Sequence, residues 1–130
     1  MKTQLSATIF LLAVGSAIPG CSNEPGRAAN VDASQARESL KTALESWKKG
    51  EKTDALKAAS PKIVVQDMDW ENGAVLVGYQ IENDGIEDTA NLRVPVSLTL
   101  RDGKGVEAKK SVNYVVGTSP IITVFRELFP

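Results

Sequence analysis

The chain has 130 residues, 42% hydrophobic and 24% charged, with a formal net charge of −1. That balance offers no excess of positive charge with which to hold nucleic acid. Histidine is absent, which removes the commonest catalytic base and metal ligand, and the single cysteine, Cys21, has no partner for an intrachain disulfide.

The chain opens with a segment that does not read as part of a fold. Lys2 supplies a positive charge, Leu5 to Ile18 is an apolar run, and Pro19-Gly20 leads to Cys21. A run of about 14 residues suits the core of a signal peptide and falls short of the ~20 that a spanning helix needs. Gly15, Pro19 and Gly20 oppose a buried helix continuing through this stretch. Simple secretion would leave Cys21 as an unpaired thiol in an oxidising compartment.

Ile18-Pro19-Gly20-Cys21 resembles a lipobox, the cleavage and lipidation motif of bacterial lipoproteins. The resemblance implies a signal peptide over residues 1–20, cleavage between Gly20 and Cys21, and a diacylglyceryl thioether on Cys21 as the lipid anchor. It also implies export to the cell envelope. Ser22 stands where many lipoproteins retained at the inner membrane carry aspartate, which points to the outer membrane. Two or more acyl chains hold a protein stably where one binds only marginally, at ~0.8 kcal/mol per buried methylene.

Residues 22–32 are small, polar and aperiodic, so 21–32 read as the lipidated cysteine and a flexible tether to a single domain over 33–130. A helix is predicted from Ala33 to Lys49. Ala36, Leu40, Ala43, Leu44 and Trp47 recur at spacings of three and four and form one apolar stripe. Asp32 with Gln35 suggests a capping box, Val31 with Ala36 a hydrophobic staple, and Gly50 a left-handed cap. A short second helix is expected over Thr53–Ala59, ending before Pro61.

Beyond residue 62 the period becomes two. Ile63–Met68 is predicted as a strand, and Asn72-Gly73 as a hairpin into Ala74–Glu82, with Val75, Val77, Tyr79 and Ile81 on one face. Leu92, Val94, Val96, Leu98 and Leu100 alternate against polar neighbours, with Pro95 marking an edge or bulge. Val106–Val116 and Ile121–Arg126 complete the set. The fold class expected is α+β: one long N-terminal helix and a short second helix packed on a curved antiparallel sheet of four to five strands. The stretch Leu44-Glu45-Ser46-Trp47-Lys48-Lys49-Gly50-Glu51, through Ala55-Leu56 to Ile63-Val64-Val65-Gln66-Asp67, resembles the cystatin-like and nuclear-transport-factor-two-like domains. The resemblance implies a cone-shaped domain, and such domains include isomerases with an aspartate base.

Between Ile63 and Asn91 there are seven acidic residues and no basic one. Asp67, Asp69 and Glu71 alternate, which on a strand puts them on one face opposite Met68 and Trp70. Clustered carboxylates suit calcium, but Gly73 falls one place late for an EF-hand loop and Gly78 occupies the position of its bidentate glutamate, so no metal is assigned. Asp67 or Asp69 beside Tyr79 or Tyr114 would be the candidates for acid–base work. No phosphate loop, nucleophile motif or cofactor signature is present, and no catalytic residue is assigned. Trp47 belongs to the helix stripe, whereas Trp70, if exposed beside the turn, is the candidate for a partner contact.

The sequence therefore predicts a membrane-anchored envelope lipoprotein whose domain binds a partner without catalysis, with no cofactor and no nucleic acid. The alternative is a small-ligand-binding or isomerase-like cone domain on the same anchor. A buried aspartate in a cavity lined by Trp47 and the tyrosines would favour the alternative, and an open polar sheet face the first.

Overall fold

The computed structural model describes residues 29–128. The predicted signal segment, Gly20, Cys21, the first part of the predicted tether and Phe129-Pro130 lie outside the described residues. Helix α1, Ala33–Lys48, begins where Asp32 accepts a hydrogen bond from the Gln35 N–H at 3.0 Å, satisfying one of the free donors of the first turn. Its apolar stripe, Ala36, Leu40, Ala43, Leu44 and Trp47, is buried throughout. Gly50, at φ +86°, ends it in the left-handed region. Helix α2, Thr53–Lys57, is one turn and stops two residues short of the predicted end, with Leu56 buried.

Six strands form one curled sheet: β1 (Ile63–Gln66), β2 (Val75–Ile81), β3 (Ile86–Asp88), β4 (Asn91–Arg101), β5 (Glu107–Gly117) and β6 (Ile122–Arg126). A one-turn helix, α3 (Met68–Glu71), follows β1. The spatial order is β1-β6-β5-β4-β2, with β3 pairing β4 beyond the end of β2. Helix α1 packs across the inner face, where Leu92, Val94, Val96, Leu98 and Leu100 of β4 are buried in the alternation their sequence predicts. Tyr114, Val116, Ile122 and Val124 extend the same core. The α+β class is thus as expected.

Four expectations are corrected. The sheet is mixed, because β1 runs parallel to β6, with Ile63 opposite Ile122 and Val65 opposite Val124. No hairpin joins β1 to β2; Asn72-Gly73 instead closes α3, and β2 pairs with β4. The predicted strand ends at Gln66 because Asp67 caps a helical turn and redirects the chain. The fourth correction concerns the phase of β2. A bulge between Leu76 and Gly78 inserts a residue, so Leu76 is 1% exposed and Val75 is 47% exposed, while Tyr79 and Ile81 turn inward beyond it.

Pro95 shows why a proline is tolerated inside β4. A strand residue points its N–H and C=O to the same side, and the Pro95 carbonyl accepts from the Glu82 N–H at 3.0 Å. The missing donor therefore faces the loop of residues 82–85 between β2 and β3, where no ladder continues. Gly85 is required in that loop. It sits at φ +87°, and a Cβ there would lie 2.8 Å from the Arg93 carbonyl oxygen.

Candidate functional site

The end of β1 carries the most concentrated polar chemistry of the domain. Ile63 and Val65 point inward, and the same period of two brings Asp67 inward as well, leaving it 2% exposed. A carboxylate taken out of water must be paired or fully hydrogen-bonded. Asp67 meets that demand locally and at long range. Its Oδ1 accepts from the backbone N–H groups of Asp69 at 3.0 Å and Trp70 at 3.3 Å, which caps α3. Arg126 Nη1 donates to the same oxygen at 3.0 Å, and the Tyr114 hydroxyl donates to Oδ2 at 2.5 Å.

Asp69 forms the outer half of the cluster. It pairs with Arg126 and accepts from Lys110 Nζ at 3.0 Å. Burial works against its ionised form, but the hydrogen bonds and charges of Lys110 and Arg126 outweigh that and hold the carboxyl below its ordinary range. Tyr114 is driven the other way: burial, then the charge and hydrogen bond of Asp67, push its phenol well above the usual tyrosine value. Arg126 is held firmly protonated, since its carboxylate partners outweigh the cost of its burial.

Two clefts open near this end of the domain. One, of about 420 Å³, is bordered by Met68, Asp69, Glu71, Lys110, Arg126 and Leu128. Met68 and Leu128 are 58% and 64% exposed on its rim. The other, also about 420 Å³, runs beside Trp47 and Trp70 between Glu51-Lys52 and Ala74-Val75. Both indoles are core residues. Their rings stack at 5.3 Å with 3° between planes, Trp47 Nε1 donates to the Ala74 carbonyl at 2.8 Å, and Trp70 Nε1 to the Glu51 carbonyl at 2.8 Å. Trp70 is only 8% exposed, so the exposed indole on which a partner contact depended is not found. The helical turn of α3, in place of the expected strand, rotates Trp70 inward.

The other named residues fall as follows. Asp67 and Tyr114 do meet, and Tyr79 meets Glu45 instead, donating to its Oε1 at 2.5 Å. Glu71 is exposed and separate from the pair formed by Asp67 and Asp69. Among the described residues no group of three or more acidic, cysteine or histidine side chains converges as a metal site requires. Sequence reasoning missed Arg126 and Lys110. A signal for Arg126 was present: it shares the inward phase of Ile122 and Val124, as Asp67 shares that of Ile63 and Val65, and two opposite charges on inward phases call for one another.

Asp67 borders the cleft beside Met68 and Leu128, and both of its oxygens already accept hydrogen bonds from within the fold. On the outward face of the sheet Ser97, Thr99, Asn113, Val115 and Phe125 are half-buried and Ser111 is exposed. Comparison with protein-family models, with curated proteins and with solved structures finds no match. Among the described residues no helix is long and apolar enough to cross a membrane.

Proposed function

We propose that this chain is a lipid-anchored envelope protein, attached through Cys21, whose α+β domain binds a protein partner and performs no catalysis. The observation that carries the second half is the state of Asp67. A general base must present a free lone pair to a substrate proton. Asp67, the one aspartate in contact with a tyrosine among the described residues, is buried and accepts from four donors. The open outer sheet face, polar with a half-buried apolar strip at Val115 and Phe125, has the character of a surface for a partner. The Asp67–Tyr114 contact beside the cleft of about 420 Å³ favours a ligand-binding cone, but that cleft is open and is bordered by neither a tyrosine nor a tryptophan.

Anchoring and binding are tested separately. Cys21→Ser should abolish processing after Gly20 and partitioning into the detergent phase. Mutant protein of normal mature mass in the membrane fraction would refute the anchor. A photoreactive residue at Ser111, on the outer face, should give a discrete cross-linked adduct in cells, and one at Lys41, on the exposed side of α1, should not. Equal labelling from both positions, or from neither, would refute the outer face as the binding surface.

A further inference from the structure

We infer that the pole of the domain closed by the turns Thr89–Asn91 and Gly117–Ile121 lies against the lipid surface, so that the opposite pole, with the indole cleft, faces the aqueous space. The inference rests on the lipid attachment proposed for Cys21 and adds an orientation to it. Two independent observations mark the same pole.

The first is where the chain enters the fold. Val31 N–H donates to the Thr89 carbonyl at 2.9 Å, and Asp32 N–H donates to Thr118 Oγ1 at 2.9 Å. These bonds fix the entry point at this pole before α1 runs away from it. Ten residue steps separate Cys21 from Val31, a span of at most ~36 Å. Strand β4, with 11 residues, is itself ~36 Å long and runs from one pole to the other. The opposite pole could reach the lipid only with the whole connecting segment drawn straight along the side of the domain.

The second observation is charge. Neither closing turn at the entry pole contains a charged residue, and among the described residues Asp32, Lys62, Glu87 and Asp88 lie beside them. At the other pole four of the five residues 48–52 are charged, as are four of the seven residues 101–107 and both Asp69 and Glu71. Pressing such groups against a membrane strips water from them at a cost that uncharged turns do not incur.

The test uses the full lipidated chain, purified from membranes and returned to phosphatidylethanolamine–phosphatidylglycerol vesicles. Thioether formation blocks Cys21, so a cysteine introduced by Ile121→Cys or by Lys104→Cys is the only free thiol and takes a fluorophore. Ser119→Cys provides a second site at the entry pole if Ile121→Cys does not fold. A headgroup-attached quencher should quench the entry-pole label several-fold more than the label at residue 104. Protein that floats with the vesicles but is quenched equally at the two poles, or more at residue 104, overturns the orientation alone. Protein that fails to float overturns the lipid attachment, and the orientation with it.

Discussion

The Tyr114 hydroxyl donates to Asp67 across 47 positions of sequence, at 2.5 Å, and so joins the end of the edge strand β1 to the middle of β5. Arg126, on β6, donates to the same carboxylate at 3.0 Å. Strand β1 has only four residues and a single strand neighbour, β6. Few ladder hydrogen bonds hold it, and the Asp67 carboxylate latches both it and α3 to the sheet.

Breaking that latch should be costly in proportion to what is left unpaired. Asp67→Ala removes the cap of α3, leaves the buried Tyr114 hydroxyl without its acceptor and takes one of the two carboxylates from Arg126, and should destabilise the domain by about 3–5 kcal/mol. Tyr114→Phe removes one donor and should cost about 1–3 kcal/mol. Urea unfolding of the two variants measures this. A loss below ~1 kcal/mol for Asp67→Ala would show that the cluster does not hold β1.

Acid should loosen the same region. The folded-state pKa of Asp69 lies below the ordinary aspartate value of 3.8, so its ionised form stabilises the fold at pH above ~4. That contribution is lost as pH falls below 3.8 through the lower folded value. Asp69→Asn should therefore be less stable than the wild type at neutral pH, with the difference narrowing as the solution is made acidic. A difference that stays constant down to the acid limit of folding would contradict the pairing with Arg126 and Lys110.

Alkali should act through the tyrosines. Burial, followed by the hydrogen bond and charge of Glu45, pushes Tyr79 from 10.0 up to about 12. A raised folded pKa means stability that is fully present below pH 10 and is lost as pH rises through about 12. Ultraviolet titration of the folded protein should show no phenolate appearing near pH 10. Glu45→Gln should bring one of the two ionisations down toward the ordinary range. An unshifted titration in that variant would refute the Tyr79–Glu45 contact.

The stacked tryptophans make a third energetic claim. Trp47→Ala should cost about 3–5 kcal/mol, because it opens a cavity under the helix. In a double-mutant cycle with Trp70→Ala, the pair should show a coupling of about 0.5–1.5 kcal/mol beyond its shared burial. Additive losses would mean that the two indoles fill the core without interacting.

Local rules carried much of this fold. The stripe of α1, the Asp32 cap, the Gly50 terminus and the alternation of β4 could all be read because each depends on residues within a few positions of one another. The α+β class follows from adding those elements together. The proposed lipid attachment at Cys21 is read from sequence alone, since Cys21 lies outside the described residues.

Tertiary structure decided the rest, for reasons that no short window contains. Whether Asp67-Met68-Asp69-Trp70 continues a strand or closes a helical turn depends on Tyr114 and Arg126, 47 and 59 positions away, which make a buried carboxylate tolerable at Asp67. That single choice turns Trp70 into the core and prevents the hairpin that Asn72-Gly73 suggests. The parallel partner of β1 is likewise invisible locally, because β6 is formed by the far end of the chain. Period and capping are properties of neighbours, whereas strand partners and buried charge pairs are settled only when distant segments compete for one core.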